Sequence, residues 1–295
     1  MNKVTLFLMT RKGYEVLDEI LSAFNSDIID FIVVSEDDGV AQDYVEKIKS
    51  LAVKYKVRTV TRNDDYEVIS KYAIAISWRW LISSKNSETR LIVLHDSLLP
   101  KYRGFAPLVN QLIQQEPHIG VTAFFANKDF DKGDIIEQQQ TNITYPIKIN
   151  EAIKKITPLY RSLTASIVQN IKGNRELKSV PQNDLDATYS LWRDEKDYEI
   201  QWGLSAIEIK RFVDAVGFPY LGASTKIKDR SLRIFNVEVE KDLNIVNRDV
   251  GKTLFLKEGY PVVVCGVGLL KITEAIYEDD NTSIFPIKKF RLRFS

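Results

Sequence analysis

The chain has 295 residues, with 41 basic and 40 acidic side chains and a formal net charge of +1 at pH 7. Because this balance leaves no excess of positive charge for a polyanion, we expect no nucleic-acid partner. No apolar run approaches the roughly 20 residues of a membrane span, so no membrane partner is expected. The single cysteine, Cys265, excludes a disulfide framework and a cysteine-rich metal site. It favours a reduced, cytoplasmic setting, and no metal is predicted.

The first half of the chain alternates two hydrophobic patterns. Apolar residues recur at helical spacing over residues 14–24 and 41–55. Apolar runs of strand length cover residues 4–9, 28–34, 73–76, 91–94 and 121–126. Short apolar strands separated by helices predict an α/β fold, in which a Rossmann-like, mostly parallel sheet is covered by helices on both faces.

The second half changes from helix signals to strand signals. A long helix is predicted over about residues 150–171, and a polar stretch follows it. Ser205 and Glu208 have the spacing of a capping box, which predicts a helix that ends near Gly217. The remaining apolar runs, separated by turn signals, predict strands over residues 231–239, 253–257, 261–265 and 269–276.

These changes divide the chain into three predicted parts. Residues 1–180 form the α/β domain, residues 181–204 a linker, and residues 205–295 a small, OB-like β-barrel or a sandwich. The β-rich part offers a surface on which two chains could pair, so a homodimer is an expectation of the sequence.

Polar and aromatic residues follow three of the predicted strands. The sequence SWRW at residues 77–80 follows one strand, His95 ends the next, and Asp131 follows a third. Ligands of such sheets bind beyond the carboxyl ends of the strands, so these residues should converge on one crevice. A histidine can take the proton of an attacking amine, and a neighbouring carboxylate can fix its tautomer. His95 and Asp131 are therefore the candidate catalytic pair.

Two motifs carry a resemblance to a known family. The sequence HDSLLPKYRG at residues 95–104, with Pro107 beyond it, is similar to the central motif of the formyltransferases that use 10-formyltetrahydrofolate. The sequence GVT at residues 120–122, with DKGDI at residues 131–135, is similar to the second motif of that family. A weaker similarity to the segment that leads into the small barrel of the methionyl-tRNA and sugar branches lies at residues 187–193, 201–202 and 222–223.

The resemblance implies a transferase that moves a formyl group from 10-formyltetrahydrofolate, which leaves as tetrahydrofolate, to an amine. It implies that His95 is the general base, and that Asp131 orients this base and contacts the folate. The pterin ring hydrogen-bonds to backbone in this family, which implies cofactor-binding roles for Ser77, Trp78, Arg79 and Trp80. The central motif implies substrate-binding roles for Ser97, Lys101, Tyr102, Arg103 and Gly104.

Some of these residues have a structural alternative. Trp78 and Trp80 form a wall for the pterin or else cover the hydrophobic core. Arg103 forms a fork on the diphosphate oxygens of the substrate or else holds its loop by bonding backbone carbonyls. Asp96, unusual beside the histidine, is expected to cap the following turn or to replace a missing polar contact.

The acidic loop SEDDGV at residues 35–40 indicates the branch of the family. The transfer-RNA branch usually carries a basic loop at this position, whereas an acidic loop repels phosphates. The resemblance therefore favours the bacterial enzymes that formylate nucleotide-linked amino sugars for polysaccharide synthesis. Methionyl-tRNA formylation is the alternative within the same class of reaction.

Val93 departs from the family pattern, which has an asparagine here whose amide is expected to hydrogen-bond the oxyanion. Valine cannot donate, and the loss of one such donor costs about 10²–10³ in rate. Either another donor takes the place of the amide (protonated His95, a backbone N–H near residues 78–80, or a water), or the rate of formyl transfer is low. The remaining alternative is a protein that binds folate or a sugar nucleotide without catalysis.

Overall fold

The structure is a computed structural model that describes residues 2–82, 86, 88–287 and 289–295. The chain forms two compact units that interleave along the sequence. The first unit comprises Met1–Leu108, Pro117–Ile143 and Ile153–Leu191. The second unit comprises Val109–Glu116, Thr144–Ala152 and Trp192–Ser295.

Strands and helices alternate over the first two thirds of the chain. The strands are β1 (Val4–Leu8), β2 (Ile29–Val34), β3 (Thr59–Thr61), β4 (Tyr72–Ile76), β5 (Arg90–His95), β6 (Arg103–Gly104), β7 (His118–Phe125), β8 (Ile135–Asn142) and β9 (Tyr189–Ser190). The helices are α1 (Thr10–Phe24), α2 (Val45–Lys54), α3 (Pro107–Ile113) and α4 (Ile149–Lys172). Every apolar run and helical segment predicted in this part therefore corresponds to an element.

Seven of these strands form a mixed sheet in the order β3-β2-β1-β4-β5-β7-β8. The strands from β3 to β5 pair in parallel, whereas β7 pairs antiparallel with β5, and β8 antiparallel with β7. The predicted mostly parallel sheet is confirmed. The sequence does not predict β8, because its residues, IIEQQQTN, are largely polar and only partly buried. It does not predict β3 either, because that strand is only three residues long.

Helix α1 shows how the helices stabilise this unit. Its apolar residues recur at helical spacing, and those on one stripe are buried, including Val16, Leu17, Ile20 and Leu21. Full burial of an aliphatic side chain contributes about 1.5–3 kcal/mol. This stripe accounts for why a sequence with mixed charges on its other face forms a stable helix.

An apolar row crosses the middle of the sheet and leads toward His95. The register pairs Phe7 with Ala75, Ala75 with Val93, and Val93 with Phe124. Side chains alternate between the faces of a strand, so Val93 and His95 lie on the same face of β5. The position two residues before the histidine is thus part of an apolar layer.

In its C-terminal segment, Trp192–Ser295, the second unit contains α5 (Ala206–Val216), which is followed by strands. The capping box is confirmed, because Ser205 accepts from the Glu208 N–H and Glu208 accepts from the Ser205 N–H. The strands are β10 (Ala223–Ile227), β11 (Arg230–Glu240), β12 (Thr253–Lys257), β13 (Tyr260–Val264) and β14 (Leu269–Tyr277). They form an antiparallel sheet in the order β10-β11-β14-β13-β12.

The chain end closes this sheet. Ser295 and Lys226 of β10 exchange backbone hydrogen bonds of 2.8 and 3.0 Å. Phe294 donates its N–H to the carbonyl of Gly251, just before β12, at 2.8 Å. The last residues therefore join the β10 edge to the β12 edge, which makes the sheet a small barrel, as predicted.

None of the helices in the described part of the chain is long and apolar enough to cross a membrane. Within the same described ranges, no group of three or more His, Cys, Asp and Glu side chains is arranged to hold a metal ion.

Candidate active site

The structure brings His95 and Asp131 together, although not by the route that the sequence predicts. β7 runs antiparallel to β5, and its last residue, Phe125, pairs with Ile92 near the start of β5. The loop after β7 must return from that end, because Oδ2 of Asp131 lies 3.7 Å from Nδ1 of His95. His95 and Asp131 therefore lie close together, as predicted, but the carboxyl ends of β5 and β7 lie at opposite edges of the sheet.

The backbone fixes which nitrogen of His95 carries a proton. Nε2 lies 2.8 Å from the carbonyl oxygen of Tyr102. Because a carbonyl oxygen only accepts, Nε2 donates this hydrogen bond and holds a proton. Nδ1 is therefore the basic nitrogen of the neutral ring, and it faces Asp131. His95 is 8% exposed, so proton transfer at Nδ1 would take place in a largely sheltered site.

Hydrogen bonds within the loop at residues 97–104 hold its shape. The fully buried Ser97 donates from Oγ to the carbonyl of Lys101 at 2.6 Å. Thr122 of β7 donates to the carbonyl of Ser97 at 2.6 Å and accepts from the Leu99 N–H at 3.0 Å. The predicted substrate contact of the Ser97 side chain is not supported, because the loop itself uses this hydroxyl.

Gly104 ties this loop to Asp131. Its N–H donates to Oδ2 of Asp131 at 2.8 Å. A Cβ at Gly104 would lie 2.3 Å from the carbonyl oxygen of Ser190, and φ is +103°, so only glycine fits. A Cβ at Gly133 would lie 1.6 Å from the carbonyl oxygen of Phe125. The two motif glycines therefore allow the close backbone approach that places the carboxylate.

The guanidinium of Arg103 supports the site from inside. Arg103 is 1% exposed. It donates to Oε1 of Gln182 at 2.8 and 3.0 Å and to Oδ1 of Asp184 at 2.7 Å. Gln182 in turn donates to the carbonyls of Asp131 and Gly133, each at 2.8 Å. These contacts favour the loop-holding alternative over a diphosphate contact, with side chains rather than backbone carbonyls as partners.

Lys101 and Tyr102 differ from their neighbours in the same motif. Lys101 is exposed, and Tyr102 is half-buried. Tyr102 contributes its carbonyl to His95 and donates its N–H to the hydroxyl of Thr188 at 2.8 Å. Of the charged side chains predicted to bind substrate, Lys101 is therefore the one that the structure leaves at the surface.

The tryptophans at the end of β4 pack on the core and on each other. The ring of Trp78 lies edge-on against Phe7 at 5.1 Å and against Trp80 at 5.3 Å. The Arg62 guanidinium lies 4.4 Å from the centre of the Trp80 ring. The core-covering alternative therefore describes Trp78, and a wall for the pterin stays a prediction.

Ser77 and Arg79 have partners of their own in the same segment. Ser77 accepts a hydrogen bond from the Thr10 hydroxyl at 3.2 Å. The Arg79 guanidinium donates to the buried Asp37 at 2.6 Å. One carboxylate of the acidic loop at residues 35–40 is thus used to hold the segment after β4.

Positive φ angles recur in the segments that hold the site. A non-glycine residue in this region costs on the order of 1–3 kcal/mol, and such residues concentrate at functional sites. The residues concerned here, with φ between 46° and 60°, are Thr10, Ser77, Tyr102, Ala106 and Asp131. Four of them lie in the connections after β1, β4, β5 and β7, and further residues of this conformation lie elsewhere in the chain, so the angles describe the backbone of the site but do not locate it.

Val93 offers no polar group to the site. It packs against the apolar cluster that contains Phe7 and Ala75. Trp78 packs against the same cluster, and its indole Nε1 is buried without a hydrogen-bond partner in the described part of the chain. The position of the expected amide is therefore filled by an apolar layer with one unsatisfied N–H in it.

Asp96 binds partners that the sequence did not indicate. Its Oδ2 lies 2.5 Å from the Lys12 ammonium, and its Oδ1 accepts from the Tyr160 hydroxyl at 2.6 Å. Burial alone would raise the pKa of Asp96. The Lys12 charge, the hydrogen bonds from Lys12 and Tyr160 and the nearby His95 outweigh burial, so the pKa of this carboxyl is held below its usual value.

Comparison with known families matches two regions of the chain. Residues 32–159 match the formyl transferase family, and residues 193–284 match the formyl transferase C-terminal domain. The first region contains both His95 and Asp131. The second contains α5 and the closed sheet up to Ile284.

A curated relative is the methionyl-tRNA formyltransferase of Caldicellulosiruptor saccharolyticus, which is 30% identical over 184 residues. The aligned region covers 62% of this chain and 58% of that protein. The chain thus matches less than two thirds of the length of this relative.

Two solved structures resemble the chain over most of its length. One is a variant of HypX from Aquifex aeolicus, with a TM-score of 0.64 and 16% identity, covering 94% of this chain and 45% of that one. The other is an N-formyltransferase from Helicobacter canadensis, solved with folinic acid and dTDP-3-aminofucose. It has a TM-score of 0.64 and 18% identity, covering 92% of this chain and 99% of that one. At such identities the likeness shows a common fold.

Proposed function

Because the chain belongs to the formyl transferase family, we propose that it transfers a formyl group from 10-formyltetrahydrofolate to the amine of a nucleotide-linked amino sugar. The observation that carries the proposal is the 3.7 Å approach of Asp131 to the basic nitrogen of His95 in a sheltered site. A carboxylate beside Nδ1 stabilises the imidazolium that forms when this nitrogen takes a proton from an attacking amine.

The residues present account for each proton of the reaction. The amine nitrogen attacks the formyl carbon, a C–N bond forms, and the carbonyl oxygen becomes an oxyanion. Nδ1 of His95 takes the proton that the amine releases, and Asp131 stabilises the resulting imidazolium. The oxyanion then collapses, the bond from the formyl carbon to the folate nitrogen breaks, and His95 returns the proton to that nitrogen.

The folate belongs, in this proposal, along residues 77–80 and the Asp131 loop. This segment follows β4 directly beside the end of β5, because Ile76 pairs with Leu94 in parallel register. The side chains of Trp78 and Arg79 are engaged by the core and by Asp37. Backbone groups of the segment are therefore the proposed contacts to the pterin ring.

In this proposal the sugar nucleotide binds next to Lys101. The exposed ammonium of Lys101 suits a diphosphate, whereas the buried Arg103 guanidinium is already paired with Asp184. The loop at residues 35–40 supports a small substrate over a transfer RNA, because Glu36 and Asp38 are exposed carboxylates that repel a polyphosphate backbone. The Helicobacter canadensis enzyme, which shares the fold, was solved with such a nucleotide sugar.

Methionyl-tRNA formylation is the second candidate, favoured by the 30% identity to a methionyl-tRNA formyltransferase. A third candidate is binding of folate or a sugar nucleotide without catalysis, favoured by the apolar surroundings of Val93. A cytoplasmic location and a homodimer belong to the proposal on the sequence arguments above.

A substrate screen tests the proposal. The protein is incubated with 10-formyltetrahydrofolate and a panel of nucleotide-linked 3-amino and 4-amino sugars, and the products are read by mass spectrometry. We expect one sugar to gain the mass of a formyl group in place of one hydrogen, and no gain with His95→Ala. Binding of both ligands without any gain in mass supports the non-catalytic candidate instead.

A further inference from the structure

A largely buried three-residue cluster joins two helices to the residue that follows His95. It consists of Lys12 in the first turn of α1, Asp96 after β5, and Tyr160 on α4, and we call it the Asp96 clamp. Lys12 is 8% exposed and Tyr160 is 1% exposed. The Asp96 carboxylate contacts the Lys12 ammonium at 2.5 Å and the Tyr160 hydroxyl at 2.6 Å.

The clamp also reaches the backbone of β5. The Tyr160 hydroxyl lies 3.3 Å from the carbonyl oxygen of Leu94, the residue before His95. Residues on both sides of the histidine are therefore tied to α4, and Asp96 is tied to α1 as well. These contacts span 84 and 64 positions of the chain, so they fix the strand end relative to two separate helices.

Because the clamp is largely buried, its charges act on the His95 imidazole with little screening by solvent. A buried ion pair is poorly screened by salt, and the loss of one partner leaves an uncompensated charge. Among the described residues, Asp131 lies against His95, and Lys12 and Tyr160 bind the neighbouring Asp96. Arg103, in the same loop as Tyr102, is paired with Asp184. With Lys12 and Asp96 both ionised, the clamp adds no net charge beside the imidazole.

We infer that the Asp96 clamp positions His95 and balances the charge beside it, so that Lys12, Asp96 and Tyr160 are positioning residues for the proton transfer. This inference rests on the proposed function for its role in catalysis. Its electrostatic part does not depend on that function, because the charge of the imidazole responds to its neighbours whether or not a formyl group is transferred.

The test uses the fact that the chain has two histidines, His95 and His118. Their ring protons are followed by NMR through a pH titration of the full chain. Asp96→Asn leaves the positive Lys12 alone, which disfavours the imidazolium, so the titration midpoint of His95 moves to lower pH. Lys12→Met removes the positive charge that faces the Asp96 carboxylate, so Lys12 no longer balances the negative charge beside the imidazole, and the midpoint moves to higher pH. A change of about 0.5–1 pH unit is expected, less than the one to three units of a charge in direct contact.

The double variant Lys12→Met with Asp96→Asn keeps the site neutral and removes the unpaired buried charge. It is expected to fold and to return the His95 midpoint close to that of the unaltered protein. His118 is exposed at the start of β7, and its midpoint should not move in any variant.

Arg161→Met is the matched control. Arg161 on α4 binds Glu19 on α1 at 2.6 Å, so it joins the same two helices without a contact to β5. Its loss lowers stability but leaves the His95 midpoint in place. Equal midpoints for Asp96→Asn, Lys12→Met and Arg161→Met would overturn the inference.

Activity gives the second readout once a substrate is known. Asp96→Asn is expected to lower kcat and to move the acidic limb of the kcat/KM profile to lower pH, with KM for the sugar changed less than kcat. A failed substrate screen with the NMR shifts present would count against the proposed function alone. A successful screen without the NMR shifts would count against the clamp alone.

Discussion

Oδ2 of Asp131 lies 3.7 Å from Nδ1 of His95, and the same oxygen accepts the N–H of Gly104 at 2.8 Å. A backbone hydrogen bond therefore fixes the position of the same carboxylate oxygen that faces the imidazole. The imidazole is anchored in the same way, since its Nε2 donates to the carbonyl of Tyr102. Both members of the pair are held by one loop, which leaves Nδ1 as the nitrogen on which the chemistry depends.

Loss of either member of the pair should remove most of the activity. His95→Ala and Asp131→Asn are expected to lower kcat/KM by about 10²–10⁴-fold, the usual contribution of general acid–base catalysis. His118→Ala and Asp129→Asn, which alter exposed residues of the same two types, serve as controls and should retain activity. Steady-state kinetics with thermal unfolding separates catalysis from stability. Full activity in Asp131→Asn would remove the carboxylate from the mechanism.

Val93→Asn should change activity and stability in opposite directions. The amide supplies a donor two residues before His95, so kcat is expected to rise by up to about 10²-fold. The same amide enters an apolar layer that includes Phe7 and Ala75, so the free energy of unfolding should fall by about 1–3 kcal/mol. Val93→Ala loses packing without gaining a donor and is the control. An unchanged or lower kcat in Val93→Asn would show that another donor already serves.

Gly104→Ala should be far more damaging than an alanine at another positive-φ glycine. At Gly104 the new Cβ would lie 2.3 Å from a backbone carbonyl, whereas at Gly259, with φ of +83°, it meets nothing within 4 Å. Strain alone costs about 1 kcal/mol, and the clash should raise the loss at Gly104 to about 3 kcal/mol or more. Denaturant unfolding measures both variants. Equal losses would show that the loop relaxes around the new side chain.

Lys101 and Arg103, two residues apart in one motif, should have different roles. Lys101→Met is expected to raise KM for the nucleotide sugar about tenfold, the scale of one charged hydrogen bond, without a change in stability. Arg103→Met should lower the free energy of unfolding by about 1–3 kcal/mol, because it removes the contacts to Gln182 and Asp184. Steady-state kinetics gives KM for the nucleotide sugar, and denaturant unfolding gives the stability of both variants. A rise in KM confined to Arg103→Met would place the diphosphate at Arg103 instead.

Hydrophobic periodicity predicts much of this fold, but not the direction in which its strands run. The apolar runs that form β1, β2, β4, β5 and β7 are visible in the sequence because their apolar side chains are buried or half-buried on both faces. The antiparallel direction of β7 leaves no mark on that pattern. The two motifs nevertheless predict His95 and Asp131 as a pair, because a motif resemblance does not depend on strand direction.

Other contacts of the site had no local signal. Lys12 and Tyr160 are 84 and 64 positions from Asp96, so only the folded chain brings them together. Gln182 and Asp184 lie in a polar stretch that has the composition of a linker, and yet they hold Arg103. Composition reports that such residues are polar, whereas their partners depend on the tertiary structure.

The most direct test of the proposed function follows the formyl group itself. The protein receives 10-formyltetrahydrofolate with an isotope-labelled formyl group, together with the nucleotide-linked amino-sugar panel and methionyl initiator transfer RNA in one mixture. We predict that the label appears on the nitrogen of a nucleotide-linked sugar, and that His95→Ala leaves it on the folate. Label on methionyl-tRNA, or label that stays on the folate with the unaltered protein, would contradict the proposal.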